Sequence, residues 1–275
     1  MSNIGGIELN NIIIFQTQLM MGAQYGKLQE AQKEAKKSCD DACKILVQTC
    51  LRLAWNDAFR HVTENQEKLE KRFKKNGDLH GYKNLDTYIY ATILSNNSNN
   101  IVIDTFTKYI NTTTTNGKVN VLVDANTSLV EIFGSVKVID EKKSPKRALC
   151  FGHFQKLYNM AVKYYICLYM LRDILGLKFM NDSVLYADPA YFEYADCPID
   201  NYILKRLGEN CQASQKDLQK KYGHNKFEKI VWSQLKDKDD IELYKSLQDT
   251  IRTFLESDQN TKGKCNLYFD FAFWK

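Results

Sequence analysis

FGHFQKLYNMAVKYYICLYMLRDIL, residues 151–175, is a strongly apolar stretch in which Leu157, Met160, Ala161, Tyr164, Tyr165, Leu168, Tyr169 and Leu171 recur at helical spacing. Side chains three and four apart share a face, so the stretch predicts a core helix. Just upstream, Ser144-Pro145 suits a helix start, with proline near the first turn. Downstream, Gly176 to Asp196 reads as a loop with Pro189 and several aromatics, leading to Cys197-Pro198-Ile199-Asp200. Helical character returns at Tyr202 to Leu207 and again at Ile241 to Leu255. The chain closes on an aromatic tail, Leu267 to Trp274, which reads as core or as an oligomer contact.

Toward the N-terminus, Gln16 to about Lys75 is rich in Ala, Gln, Glu, Lys and Leu without proline, and Ile45, Leu46, Leu53 and Ala54 keep a helical period. Two helices are expected there, a break at Lys74 to Gly81, and a shorter helix at Leu85 to Leu94. Ser95 to Asn116 is rich in Asn, Ser and Thr and reads as a polar linker. After it, VNVLVD and VEIFGSVKVID, within residues 119–140, are β-branched and partly alternating, around the turn-forming Ala125-Asn126-Thr127-Ser128. That pattern predicts a β-hairpin insertion. The expected organisation is therefore a helical region over 1–94, a linker with the hairpin over 95–141, and a helical region over 142–275.

With 275 residues, 44% hydrophobic and 26% charged, three prolines and 13 glycines, the chain can bury one large core or two modest ones. Collagen-like and wholly disordered classes are excluded. No run of 18 apolar residues occurs, and Met1 to Gly6 lacks the basic-then-apolar pattern of a secretory signal, so the expected compartment is the cytoplasm, with no membrane contact. The eight cysteines are scattered and read as free thiols. Cys39 and Cys43 share a helix face, but nothing nearby completes a four-ligand zinc set, so no metal is expected.

A net charge of +5 is too mild to announce a nucleic-acid binder, but its distribution is uneven. Lys142, Lys143, Lys146, Arg147, Lys156 and Lys163 fall in a run without one acidic residue, whereas Asp237 to Glu242 is mostly acidic. The basic run reads either as a solvated face or as a surface for an anion.

Two segments inside this frame stand out together, Phe151-Gly152-His153-Phe154-Gln155-Lys156 and Pro198-Ile199-Asp200-Asn201-Tyr202-Ile203-Leu204-Lys205-Arg206-Leu207. The pair resembles the helix-hairpin-helix DNA glycosylase superfamily, in which a glycine turn opens a helix bearing a lysine and a later segment supplies an aspartate. Gly152 and Lys156 match the first element, and Pro198, Ile199 and Asp200 match the second. The resemblance covers about 60 of the 275 residues. Lys156 and Asp200 stand 44 positions apart, which makes Gly176 to Asp196 an insertion relative to the family. Only Cys211 and Cys265 follow Asp200, so the iron–sulfur cluster of some relatives is not implied, nor any other cofactor.

The resemblance implies a mainly α fold, a helix-hairpin-helix glycosylase-like domain carrying the β-hairpin insertion, and excision of a damaged or modified base from double-stranded DNA. In that chemistry a neutral lysine attacks the anomeric carbon, and a fixed carboxylate stabilises the positive charge that builds on the sugar. Lys156 and Asp200 take those roles. Lys142, Lys143, Lys146 and Arg147 track the backbone, and Gly152, His153, Gln155 and Lys163 are further candidate nucleic-acid contacts, with helix-start N–H groups from Gly152 to Lys156 facing a phosphate. Tyr158, Phe192, Tyr194 and Trp232 are the candidates for stacking a flipped base. Each residue also has a plainer reading: Lys156 and Lys163 as a solvated stripe, Asp200 as an N-cap, His153 as a partly buried turn residue. The competing function is a nucleic-acid-binding or interaction protein that keeps the scaffold without the reaction. A third is an enzyme modifying free nucleosides.

Overall fold

The computed structural model describes residues 25–58, 101–133, 149–186, 193–223 and 226–273. It is mainly helical, and no β-strand occurs among the described residues. In chain order the helices are α1 (Tyr25–Glu34), α2 (Cys39–Ala58), α3 (Ile101–Ile110), α4 (Thr115–Phe133), α5 (Phe151–Met170), α6 (Asn201–Asn210), α7 (Gln212–Tyr222), α8 (Lys238–Ser257) and α9 (Leu267–Phe273). Short 3₁₀ turns at Lys178–Asp182, Phe227–Lys229 and Trp232–Gln234 join some of them. None of the described helices is long and apolar enough to cross a membrane.

The expected core helix is α5, and the rest is arranged around it. Every one of its residues except Lys156 is buried, so the helix is packed on all sides and its few polar groups must find partners inside. Helix α2 lies along it, with Cys43, Leu46, Val47, Cys50, Leu51, Ala54 and Trp55 forming a buried stripe at helical spacing. Helices α3 and α4 pair with each other and close another side of α5. One hydrophobic cluster includes residues from α1 through α9, so the described parts of all three expected regions share a core.

The β-hairpin is overturned over 120–133, where the chain continues α4; residues 134–140 lie outside the described part. The alternation of VNVLVD competes with a second period. Lys118, Leu122, Ala125 and Leu129 are all buried and fall at intervals of four, three and four, so a helix inserts this whole set into the core. Val123 pays for that choice with an exposed side chain. The linker reading fails for the same region, since Val102, Ile103, Phe106, Tyr109 and Ile110 of α3 are buried. The expected break at Lys74 to Gly81, the helix at Leu85 to Leu94 and the start at Ser144-Pro145 lie outside the described residues.

The aromatic tail is core. Leu267, Tyr268, Phe269, Asp270 and Phe271 of α9 are buried, and Phe269 stacks edge-on against Phe254 of α8 at 5.5 Å between ring centroids. This docking brings Asp270 to Lys163 of α5, with Nζ to Oδ2 at 2.8 Å and the ammonium 4.9 Å from the centre of the Phe271 ring. Burial pushes the Asp270 carboxyl above its ordinary range, and Lys163 pulls it back. Lys163 is therefore not part of a solvated stripe. More than a dozen apolar side chains of α5 are buried alongside it, each contributing about 1.5–3 kcal/mol, so the helix tolerates one ion pair that costs several.

Replacing Lys163 by methionine leaves Asp270 buried without its counter-ion, and urea unfolding should show a loss of about 3–5 kcal/mol. The double variant Lys163→Met/Asp270→Leu should recover most of it. A double variant as unstable as the single one would trace the loss to packing instead of charge.

Candidate functional site

Helix α5 begins with a capping box of unusual composition. Cys150 is the N-cap and His153 the third helical residue; the His153 Nδ1 accepts from the Cys150 backbone N–H at 3.3 Å, and the Cys150 thiol lies 3.3 Å from the same nitrogen. A Cys and a His thus stand where Ser or Thr and Glu or Gln usually do. The thiol also donates to the Ser233 carbonyl at 3.3 Å, and the Gly152 N–H donates to the Leu235 carbonyl at 2.9 Å. Both bonds tie the start of α5 to the 3₁₀ turn at Trp232–Gln234. A Cβ at Gly152 would collide with the Trp232 carbonyl, so this contact requires glycine. His153 meets the Trp232 ring edge-on at 5.7 Å, and burial pushes its pKa down to about 4.

Facing α5, residues 195–199 run extended through the interior with no neighbouring strand. Side-chain amides take the place of one. The Gln155 carboxamide donates to the Ile199 carbonyl at 2.8 Å and accepts the Ile199 N–H at 3.1 Å. The Gln248 carboxamide of α8 does the same for Cys197, at 2.7 and 3.0 Å. Asn159 reaches the Cys197 carbonyl at 3.4 Å, and the Leu267 N–H reaches the Ala195 carbonyl at 3.1 Å.

The segment ends at Asp200, the N-cap of α6. Its Oδ1 accepts the N–H groups of Tyr202 and Ile203 at 2.9 and 3.0 Å, the arrangement an N-cap aspartate makes with the first helical turn. Its Oδ2 lies 3.1 Å from Lys156 Nζ. That ammonium also sits 4.8 Å from the centre of the Trp232 ring. The side chain of Lys156 is 12% exposed and that of Asp200 25%, so the pair lies at the rim of the core with one edge open to solvent. An amine and a carboxylate in this contact can exchange a proton, and the carboxylate can face a cation that forms beside the amine.

Of the residues singled out in the sequence, Lys156, Asp200 and Trp232 are brought together. Gly152, His153, Gln155 and Lys163 are buried, and this corrects their reading as nucleic-acid contacts. Gly152 has spent its N–H on Leu235, Gln155 its amide on Ile199, and Lys163 its ammonium on Asp270. The plainer reading of Asp200 as an N-cap also holds, alongside its ion pair. Tyr158 is fully buried and donates to the Val102 carbonyl at 3.0 Å, whereas Tyr194 is 46% exposed. Lys142, Lys143, Lys146, Arg147 and Phe192 lie outside the described residues.

The residues that sequence reasoning missed are Gln155 and Asn159 as readers of buried backbone, together with Gln248. Their signal was present, since two amides four residues apart in the most deeply buried helix must find partners inside. A cavity of about 580 Å³ opens on the cap side of α5, against Cys150, Ser233 and Lys236; neither Lys156 nor Asp200 lines it. No protein-family model matches the chain, and neither a curated protein nor a solved structure matches it.

His153 supplies a pH test of the capping box. Because its folded pKa is held below the ordinary value of 6.5, its contribution to stability is complete above pH 6.5 and is lost as the pH falls toward about 4. Glutamine keeps the acceptor that the box needs without titrating. His153→Gln should match the parent in urea unfolding at neutral pH and decline less steeply on acidification. Equal slopes for the two proteins would place the acid sensitivity elsewhere.

Proposed function

We propose that this chain is a DNA N-glycosylase that uses Lys156 as a covalent nucleophile, with strand cleavage by elimination as the following step. The observation that carries the reading is the contact of Lys156 with Asp200 at 3.1 Å beneath Trp232, on the one residue of α5 that is not buried. The same lysine and aspartate are the pair that the sequence resemblance implies.

The chemistry follows from the contact. Asp200 Oδ2 takes the proton that Lys156 must shed, and the amine attacks C1′ of the sugar. The N-glycosidic bond breaks with its electron pair on the departing base, which receives the proton that Oδ2 took, so the carboxylate is ionised again as the bond opens. Positive charge that develops on the sugar faces the same carboxylate. Ring opening leaves an iminium between Nζ and C1′, and removal of a C2′ proton expels the 3′ phosphate. The Trp232 ring is itself buried and covers the amine, shielding the pair from one side. Exposed lysines on the elements that frame the pair, Lys205 on α6 and Lys229 and Lys236 on either side of the Trp232 turn, replace the four buried residues as candidates for phosphate contact.

A second reading, a nucleic-acid-binding protein without turnover, is favoured by a different observation. Asp200 Oδ1 is committed to the α6 cap, so the carboxylate has a structural task whether or not chemistry occurs beside it.

Borohydride trapping on a duplex containing an abasic site separates the two. The first reading requires a covalent complex that Lys156→Ala abolishes. Asp200→Asn retains a good N-cap, and should fold normally while trapping more slowly. No adduct, in the presence of salt-sensitive duplex binding, would leave the second reading standing. Absence of both adduct and binding would remove DNA as the partner.

A further inference from the structure

We infer that Gln155 is a positioning residue that sets Asp200 against Lys156, an inference that rests on the reading of that pair as the reacting centre. Gln155 immediately precedes Lys156, and its backbone partner Ile199 immediately precedes Asp200. The carboxamide is fully buried and all four of its hydrogen-bonding positions are filled. Its Nε2 donates to the Ile199 carbonyl at 2.8 Å and the Gly152 carbonyl at 3.0 Å. Its Oε1 accepts the Ile199 N–H at 3.1 Å and the Asn159 Nδ2 at 3.4 Å. An amide used in this way has one orientation, because rotation by half a turn would set donors against donors and carbonyls against a carbonyl.

The consequence is a register lock. Pro198 lacks an N–H, so sliding the extended segment by one residue to bring Pro198 opposite Gln155 would leave Oε1 facing a ring carbon in the interior. Sliding it the other way would carry Asp200 away from Lys156. Only the observed register both satisfies Gln155 and places Oδ2 beside Nζ. Asn159, one turn further along α5, reaches the Cys197 carbonyl and supports the same register from the next position.

The test uses the full chain and two substitutions. Gln155→Leu removes the lock. Gln155→Glu restores the grip on Ile199 only when the new carboxyl is protonated, since the single O–H of the neutral acid can replace the bond to the Ile199 carbonyl and the carboxylate cannot. With enzyme saturating over an abasic-site duplex, Gln155→Leu should trap about 100-fold more slowly than the parent, as expected for a displaced reacting group, with duplex affinity unchanged. Because burial at this position raises the new carboxyl above the ordinary range, Gln155→Glu, taken as a ratio to the parent at each pH, should approach the parent rate near about pH 5 and fall away by about pH 8. A folded Gln155→Leu variant that traps at the parental rate, or a Gln155→Glu ratio that ignores pH, would overturn the inference.

A parent that forms no adduct defeats the proposed function without defeating the positioning role, which is then read in unfolding. The coupling between Lys156→Met and Asp200→Asn in a double-mutant cycle should vanish in the Gln155→Leu background. If Gln155→Leu does not fold, the same cycle is run in Gln155→Glu at the two pH values, where the coupling should be present at the lower and lost at the higher. Coupling that survives unchanged would show that Gln155 does not set the pair.

Discussion

Five consecutive residues, Ala195 to Ile199, cross the interior of a helical protein in extended form, and their backbone polar groups must be satisfied without a sheet. An unpaired buried N–H or carbonyl costs about 1–3 kcal/mol, so two such residues left open would consume much of the stability of an ordinary domain. Glutamines from two different helices meet the requirement. Gln155 on α5 and Gln248 on α8 each grip one residue at both its N–H and its carbonyl, and Pro198 between them has no N–H to satisfy. Asn266, ahead of α9, donates in turn to both oxygens of Gln248. The relative placement of α5, α8 and α9 is thereby tied to a single segment, and α6 begins where that segment ends.

The same segment organises the buried charge. At its start, Lys118 of α4 donates to the Tyr194 carbonyl at 2.5 Å while Thr115 donates to Asp196 at 2.9 Å. Burial pushes the Asp196 carboxyl up and the Lys118 ammonium down, and each is drawn back by the other. Behind the segment stands the Lys163–Asp270 pair. Apolar residues of similar volume would often be as stable as such ions, so net stability alone does not account for them. A lysine on α4 and a lysine on α5, each with a partner on another element, leave few ways to pack the helices around the extended stretch.

Elements with local signals were legible in the sequence. The apolar helical period of α5, the Asp200 cap ahead of α6 and the helical stretch at Ile241 to Leu255 that became part of α8 all depend on residues within one or two turns of each other. The site pair was legible only through a resemblance, since nothing local connects residues 44 positions apart. Helix α4 was misread because β-branched residues at 119, 121 and 123 mimic a strand, and the competing helical stripe becomes decisive only when α3 and α5 are there to receive it. Lys163 was misread for a related reason. A lysine seven residues from Lys156 on the same helix shares its face, yet Asp270, a further 107 positions along, turns one into a core ion pair and leaves the other at the rim.

The two oxygens of Asp200 have different tasks, and this difference links the architecture to chemistry. Oδ1 is held by two backbone N–H groups of α6, which fixes the plane of the carboxylate and places the negative charge at the positive end of the helix macrodipole. Oδ2 is then aimed at Lys156 by bonds that would exist for capping alone. A charge oriented in advance by the fold needs no reorganisation when a cation forms beside it, which is the condition under which electrostatic stabilisation is largest. The register of residues 195–199 supplies that orientation from one side and the first turn of α6 from the other. A preorganised carboxylate at the rim of the core is therefore a direct product of satisfying buried backbone, and the lysine opposite it is the one position of the central helix that the packing leaves open.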